Sequence, residues 1–519
     1  MINNAIVNME EKQRGGNLLE LNKQIQLRKS KIYSIKEPDE LLKYINDNLK
    51  PKQVEKKERG EVFTPMKLVN EMLDTLPEKV WKNPNLKWLD PAAGIGNFPV
   101  AVYMKLMEGL KSIIKDEEKR REHILENMLY MVELDKTNVF MMKKIFCGKL
   151  SKSSKKGYEL NIFEGSFIDG KYEKKIDIFS INDDKKKIIN ENNINFVNKI
   201  KKFNSNFDII VGNPPYQQHY DNTNERVGGS SLWSKFLNKS MNLLIKNGFI
   251  LFITPCSWMS GGTNKQSGNI LGGIMQVNTL YYLNIQECSK YFNVGSTFSY
   301  YLIKKSFEDK SFKCICKYNG KIYDSQIENK DFRKMQIIPL LFNDDMVSII
   351  KKVENYKCEK MNFKRYYDLD KRKSYLYDDN GKYCVKHKVV EVYKTNFKQE
   401  CMGKHKVIIS MPGYIKAEYD KNCGCSDATL FMYCENKDEA IQIINLLNNK
   451  LYKLIINVYR EITGLNNHKN INKFPFIKNQ EDIYRLFKLT KDEIKLIEDN
   501  IKDSKKIKGG FKSKKYKFE

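Results

Sequence analysis

Between Gly60 and about Lys305, short apolar runs alternate with longer spans that have the length and spacing of helices. The runs are KWLDPAAG, MLYMVELD, ELNIFEG, FDIIVGNPPY, FILFITPCSW and TLYYLNI. Each is rich in β-branched or aromatic residues and short enough for a strand. The pattern therefore predicts an α/β domain, a parallel or mixed sheet with helices on both faces. Two hydrophilic stretches, Lys171 to Lys202 and Gln217 to Gly229, carry too few apolar residues to be core elements and are read as insertions. Residues 1–58 are polar and Lys-rich, with one helix opened by Pro38 and Asp39, and read as a basic N-terminal helical arm. From about Phe312 to Phe476 the pattern changes to mixed strands and helices rich in Lys, Tyr and Asn, including KHKVIISMPGYI and DEAIQIINLLNNKLYKLIINVY. Thr490, with Glu493 three residues on, predicts a capping box that starts a last helix, and the chain ends in a basic tail. The expected organisation is an arm (1–58), an α/β domain (59–310), an α+β domain (311–480) and a C-terminal helix with tail (481–519).

Composition adds a partner class. At 519 residues the chain exceeds one ordinary core, and 41% hydrophobic with 30% charged residues is globular composition. Lys and Arg outnumber Asp and Glu by 91 to 64, a net charge of +27. Such a surplus suits a polyanion whose counterions the basic side chains displace, nucleic acid first, although a proteome-wide basic drift gives the same sum. The longest apolar run, Gly248 to Pro255, falls far short of the roughly 20 residues of a membrane helix. The N-terminus lacks a basic start followed by an apolar core, so the expected location is intracellular, cytoplasmic or nucleoid-associated, with no membrane partner. The 11 cysteines include Cys314/Cys316 and Cys423/Cys425 at C-x-C spacing, which suits neither a disulfide framework nor a zinc knuckle. Most are read as reduced packing residues. A metal site from Cys423, Cys425 and Cys434 lacks a matching ligand pair, so no metal is expected.

Two segments carry candidate chemistry. In Leu89-Asp90-Pro91-Ala92-Ala93-Gly94-Ile95-Gly96-Asn97-Phe98 a strand end turns through glycines into a helix, and Gly94 and Gly96 let the backbone pass close to a ligand at the carboxyl end of the first strand. The next strand, Tyr130-Met131-Val132-Glu133-Leu134-Asp135, ends in acids placed to accept hydrogen bonds from ribose hydroxyls. A helix cap for Asp135 and a surface position for Glu133 are the plainer alternatives. In Asp208-Ile209-Ile210-Val211-Gly212-Asn213-Pro214-Pro215-Tyr216 a buried strand delivers an Asn followed by two prolines. The Asn side-chain oxygen and the Pro214 carbonyl are two acceptors held near one point, with no N–H from either proline to compete. Such a pair suits an amino group, and Tyr216 could stack on the flat base that bears it.

With these motifs the chain resembles the adenine-specific DNA methyltransferases, in particular the gamma-class enzymes of bacterial restriction-modification systems. The resemblance implies a Rossmann-like domain dependent on S-adenosylmethionine (SAM), followed by a target-recognition domain. It places Thr64, in Gly60-Glu61-Val62-Phe63-Thr64-Pro65, near the methionine carboxylate of SAM, and Asp90, Ala92, Gly94 and Gly96 in the loop that holds the methionine part. Glu133 corresponds to the ribose acid, and Asn213, Pro214, Pro215 and Tyr216 to the catalytic motif, with Asn213 also at the cofactor. Phe236, near Leu232-Trp233, is implied against the cofactor adenine, and Phe292 as the second aromatic that holds a flipped base. One departure stands out: where the family has Asp in a Gly-Asp-Phe turn, this chain reads Gly165-Ser166-Phe167. Ser166 accepts a weaker, neutral hydrogen bond, so Asp169 is a substitute candidate, and Phe167 is read as either core packing or a stacking wall.

The expected partner is duplex DNA, with the loops Gln217 to Gly229 and Gly261 to Gly273 as phosphate clamps and the region after Phe312 choosing the sequence. The arm is too short to be a nuclease, which leaves a separately encoded nuclease or other subunit as a potential partner and the oligomeric state undetermined. Competing readings are methylation of an RNA adenine or a protein glutamine, and a catalytically silent DNA-binding subunit.

Overall fold

The computed structural model describes residues 64–147, 158–168, 206–216, 232–260, 270–292, 297–366, 377–387, 389, 391–478 and 482–501, together with Glu40. The helix expected at Pro38, the two insertions, Asp169, most of the Gly261 to Gly273 loop and the basic tail lie outside these residues. The chain divides into two units, Met1–Cys314 with Ile327–Gln336, and Ile315–Gln326 with Ile337–Glu519.

The first unit opens with helix α1 (Met66–Leu73), then strand β1 (Trp88–Asp90), helices α2 (Asn97–Gly109) and α3 (Glu117–His123), strand β2 (Leu129–Glu133) and helix α4 (Lys136–Cys147). Strands β3 (Asn161–Glu164) and β4 (Phe207–Gly212), helix α5 (Leu232–Leu243), and strands β5 (Leu244–Pro255), β6 (Thr279–Ile285) and β7 (Phe298–Lys304) follow, so that β1 to β7 are seven of the nine strands of its sheet. Their order is β3-β2-β1-β4-β5-β7-β6. Pairing is parallel from β3 to β5 and antiparallel where β7 inserts between β5 and β6. The mixed sheet and all six predicted strand runs are therefore present, and β7 is an element the sequence reading did not single out. The reversal of strand order falls between β1 and β4, and the crevice outside their carboxyl ends is the usual ligand position in such sheets.

Strand β5 shows why the runs read as continuous apolar stretches. Phe249, Leu251 and Ile253 join a core with α1, α2 and α4, whereas Ile250 and Phe252, equally buried, face the other side. Both faces are covered, so alternation disappears from the sequence. Residues Ile327–Gln336 return to the first unit through Asn329, which is fully buried. Its side chain accepts from Leu280 N at 3.1 Å and donates to Leu280 O at 2.9 Å and Lys310 O at 2.7 Å, satisfying backbone groups that no strand partner reaches.

Strand β8 (Ser311–Tyr318) begins in the first unit and ends in the second, and β9 (Lys321–Glu328) follows it. The second unit then holds helix α6 (Asp344–Glu354) and strands β10 (Tyr383–His387), β11 (Glu391–Thr395), β12 (Lys406–Ser410), β13 (Ala417–Asp420), β14 (Gly424–Cys425) and β15 (Thr429–Tyr433). Helices α7 (Lys437–Asn448), α8 (Lys450–Thr463) and α9 (Lys491–Asn500) end it. The strands β10 to β15 form two three-stranded sheets, β11-β10-β14 and β13-β12-β15. Cys314, Cys316 and Cys425 are buried and outside any disulfide, as expected of packing residues, but Cys423 pairs with Cys384 in a disulfide. The parallel register that sets Val385 opposite Gly424 brings these two cysteines side by side, a juxtaposition that C-x-C spacing could not reveal. Among the described residues no cluster of His, Cys, Asp or Glu is arranged to hold a metal, and no helix is long and apolar enough to cross a membrane.

The capping box of α9 is present. Thr490 Oγ1 accepts from Glu493 N at 3.3 Å, and Glu493 Oε2 accepts from Thr490 N at 2.6 Å. Glu493 is buried and also forms an ion pair with Lys352 of α6 at 2.7 Å, so the cap also ties two helices. Thr490→Ala is expected to cost the helix about 1 kcal/mol, seen as roughly fivefold faster amide exchange across α9, with Thr490→Ser restoring protection. Equal exchange in the Ala variant would show that the Lys352 contact alone holds the helix.

Candidate functional site

The crevice between β1 and β4 is floored by one carboxylate. Asp90 ends β1 and is 2% exposed. Its Oδ1 accepts from Ala92 N at 3.0 Å, and its Oδ2 is buried with no hydrogen-bond partner among the described residues. Burial pushes the carboxyl up to about 8 from its ordinary 3.8, with the charge of nearby Glu133 adding to the rise and the Ala92 N–H opposing it. An orphaned carboxylate oxygen in a ligand crevice is an acceptor waiting for a donor, and a cationic amine fits it best. That suits the methionine ammonium of SAM.

The glycine loop lies beside this acid. Gly94 and Gly96 have φ of +55° and +102°, and at Gly94 a Cβ would meet nothing within 4 Å, which leaves the loop open on that side. Glu133, 6% exposed at the end of β2, accepts from Gly94 N at 2.8 Å through Oε2 and from Asp135 N at 2.8 Å through Oε1. It therefore holds the glycine loop to the second strand. Its Oε1 also accepts from Asn138 Nδ2 at 3.3 Å. Asp135 accepts from Asn138 N at 3.2 Å, the helix-cap reading raised as its alternative.

Asn213 follows Gly212 at the end of β4. Its Nδ2 donates to Thr64 Oγ1 at 2.9 Å, and its Oδ1 accepts from the Tyr216 hydroxyl at 2.7 Å. Thr64 is itself buried, and its carbonyl accepts from Asn97 Nδ2 at 2.7 Å. Four side chains from the entry to α1, the start of α2 and the end of β4 thus form one line: Asn97, Thr64, Asn213, Tyr216. Desolvation drives the Tyr216 phenol well above its ordinary range, so it stays protonated and donates. Pro214 is buried and Pro215 half-buried, as a rigid turn at a strand end requires.

The aromatic residues divide into two groups. Tyr216 and Phe292 both tilt against Phe298, with ring centroids at 5.4 Å and 5.3 Å. Phe298 opens β7, the strand missed in the sequence, and is the common support for the two rings expected to grip a base. Phe167 and Phe236 pack on each other at 5.2 Å, and both are buried. Lys239 reaches across the Phe167 ring at 5.0 Å and donates to the carbonyls of Phe167 and Ile168. Phe167 is thus packed in the first unit, while Ser166 remains half-buried in the turn before it. Asn97 and Phe298 are the residues that sequence reasoning missed. The Asn that follows a glycine turn was the only local signal for the first, and no signal marked the second.

Comparison with known proteins bears on family and fold. Residues 127–292 match the family described as Eco57I restriction-modification methylase. An adenine-specific methylase of Mycoplasma pneumoniae, described as uncharacterized, is 29% identical across 44% of this chain and 62% of its own length. The chain thus spans less than two thirds of that relative. The ATP-dependent Type ISP restriction-modification enzyme LlaBIII, solved bound to DNA, superposes with a TM-score of 0.50 at 13% identity, over 94% of this chain and 44% of that one. DrdV in its DNA complex gives a TM-score of 0.49 at 14% identity, over 88% and 61%. At 13% identity the likeness to LlaBIII reports on fold alone, and the fold is the mixed α/β one expected.

Asp90 makes the unliganded protein sensitive to pH in a known direction. Its carboxyl keeps a proton between the ordinary 3.8 and about 8 that the unfolded chain has lost. The folded state binds more protons in that window, so stability falls as pH rises through it and levels off above. Asp90→Asn is expected to remove this slope and to melt higher than the parent above pH 8 without cofactor, as read by calorimetry of both proteins across the window. Parallel curves would place Asp90 in a more hydrated setting than its burial indicates.

Proposed function

Taking as premise that residues 127–292 form a domain of the Eco57I restriction-modification methylase family, we propose that this chain is an enzyme that methylates the N6 amino group of adenine in duplex DNA, with SAM as donor and a base flipped out of the helix. The observation that carries the reading is the Asn213 side chain, fixed at the end of β4 with its oxygen toward Tyr216. SAM, when bound, supplies a methyl made electrophilic by a neighbouring sulfonium. Asp90 Oδ2 would hold its ammonium, Gly94 and Gly96 its methionine part, Glu133 its ribose, and Phe236 with Ser166 or Asp169 its adenine end.

The protein's own task is to prepare the amine. The N6 lone pair of adenine is delocalised into the ring, and acceptors for both N–H groups at Asn213 Oδ1 and the Pro214 carbonyl draw it toward the incoming methyl as positive charge develops. The departing proton leaves to solvent after the N–C bond has formed, so no general base is required. Asn213 Oδ1 has two lone pairs, and the Tyr216 hydroxyl occupies one of them. A ring that gives up this bond to lie on the extruded base would release that lone pair to the amine, with Phe292 as the second contact. Extrusion costs a few kcal/mol, which stacking offsets.

Residues 311–480 are the proposed target-recognition domain, with the basic arm and tail meeting phosphates. The net charge of +27 favours a nucleic acid over a protein glutamine, and the match to a restriction-modification methylase family favours DNA over RNA. Incubation with labelled SAM and separate duplex DNA, RNA and protein pools is expected to label DNA alone, as N6-methyladenine on nucleoside chromatography. Label in RNA or glutamine would transfer the reading to those substrates. Asn213→Ala is expected to lower turnover at least 100-fold while SAM and DNA still bind, since it removes an acceptor made for the transition state. Near-normal turnover in that variant would remove Asn213 from the chemistry.

A further inference from the structure

One exposed tyrosine of the second unit is fastened from beneath. Tyr414 lies in the turn between β12 and β13 and is 64% exposed. The guanidinium of Arg460, on α8, stacks on its ring at 4.2 Å. The turn is joined to the stretch that follows α8: Pro412 bridges Leu465, Asn466 N donates to Met411 O at 2.7 Å, and Asn466 Nδ2 donates to Ser410 O at 2.8 Å and Gly413 O at 3.1 Å. Asn466 is 1% exposed, so water does not compete for these bonds. Gly413 and Gly464 take φ of +78° and +76°, which turns the one segment and ends the helix beside it. Holding a ring still while it faces solvent gives the unbound protein no return. A partner gains from it, because the ordering cost of the ring has already been met.

Charge identifies the partner. Neither residues 411–416 nor residues 464–473 include an Asp or Glu. Lys416 and Lys469 are exposed, and their ammonium groups have no partner among the described residues. The other exposed aromatic group of this unit differs on this point. Tyr377 and Tyr393 pack on each other at 4.4 Å, their hydroxyls are bonded to His387 and Glu391, and Asp378 and Asp379 stand in the same stretch. A duplex offers flat bases and sugars for a ring and phosphates for the cations around it. We infer that the joined turns Pro412–Lys416 and Gly464–Lys469 form a contact surface for duplex DNA, with the Tyr414 ring in a groove and Lys416 and Lys469 on the flanking phosphates. The inference rests on the reading of residues 311–480 as a target-recognition domain and gives that reading a place. A second copy of the chain is the competing occupant, and two such acid-free faces set against each other would repel.

Tyr414→Ala removes a ring that stands mostly in solvent, so the full-length variant is expected to melt within about 2 °C of the parent. Its dissociation constant for a fluorescein-labelled pool of random-sequence duplexes should rise by about fivefold to tenfold, as loss of an interface tyrosine does. Lys416→Gln and Lys469→Gln should each lower the slope of log affinity against log salt by about one, the mark of a lost phosphate contact. Tyr393→Ala, in the other aromatic group, should bind the pool as the parent does. Added duplex should also protect Lys416 and Lys469 of the parent from acetylation, read by mass spectrometry, more strongly than Lys394. Parent affinity and parent slope in the Tyr414, Lys416 and Lys469 variants, with no protection of the two lysines, would overturn the inference. So would a Tyr414→Ala protein that loses self-association on sedimentation and keeps its duplex affinity, since the surface would then belong to a second copy. A parent that binds duplex and methylates no adenine sinks the methylation reading alone. A parent that methylates DNA while the three variants bind it unchanged sinks this inference alone.

Discussion

A glycine facing a carboxylate sets the geometry of the crevice. A Cβ at Gly212 would stand 2.8 Å from Asp90 Oδ1, closer than such atoms approach, and the backbone there has a φ of +157°. Because Gly212 has no side chain, the carboxyl ends of β1 and β4 can come together with the Asp90 carboxyl lying beneath the second of them. Every other placement follows from this contact. The Asn213-Pro214-Pro215 turn starts at the residue after this contact, and Asn213 stands within reach of Thr64. Any larger residue would force either the acid or the turn to move, and with it the distance between the two halves of the crevice.

The polar groups around that contact are bonded in series. Asn97 holds Thr64, Thr64 holds Asn213, and Asn213 is held by Tyr216. Glu133 holds Gly94 and Asp135. Buried groups with such bonds are stiff, since loosening one leaves its neighbour unsatisfied at a cost of about 1–3 kcal/mol. Asp90 Oδ2 is the exception, a buried acceptor left over after this accounting among the described residues. The crevice therefore has one fixed wall and one unmet electrostatic demand, which is the arrangement expected where binding of a cation and positioning of a neutral amine have to occur side by side.

Much of this could be read in the sequence, for definite reasons. Strands buried on both faces leave unbroken apolar runs, so β1 to β6 stood out, and Gly94, Gly96 and Asn213 were visible because few residues tolerate such turns. Strand β7 was hidden because FSYYLIK follows Val294-Gly295-Ser296 with no long gap to mark it as a separate element, and its antiparallel insertion is set by tertiary pairing with β5 and β6. With β7 went Phe298, whose importance lies in supporting two other rings. The Thr64 contact was hidden for another reason. Its partners lie 33 and 149 residues away, and no local pattern encodes a hydrogen bond between a strand end and a segment so distant. The disulfide at Cys384 and Cys423 is likewise a matter of register between β10 and β14.

The occupied state of Asn213 bears on how the proposed reaction is driven. An amine that takes the place of the Tyr216 hydroxyl exchanges one hydrogen bond for another, so that step contributes little net free energy. Pulling a base from a duplex costs a few kcal/mol, and this cost has to be met elsewhere. Stacking on Tyr216 and Phe292 meets part of it, but both rings already pack on Phe298, and their gain is the difference between two apolar contacts. The remaining source is attraction for phosphate, which acts before extrusion and is indifferent to the base. A net charge of +27 is then more than a means of attachment. In the proposed reaction it would hold the duplex in place while a small, nearly balanced exchange at Asn213 decides which amine is received, so binding should respond steeply to salt while the choice of acceptor should not.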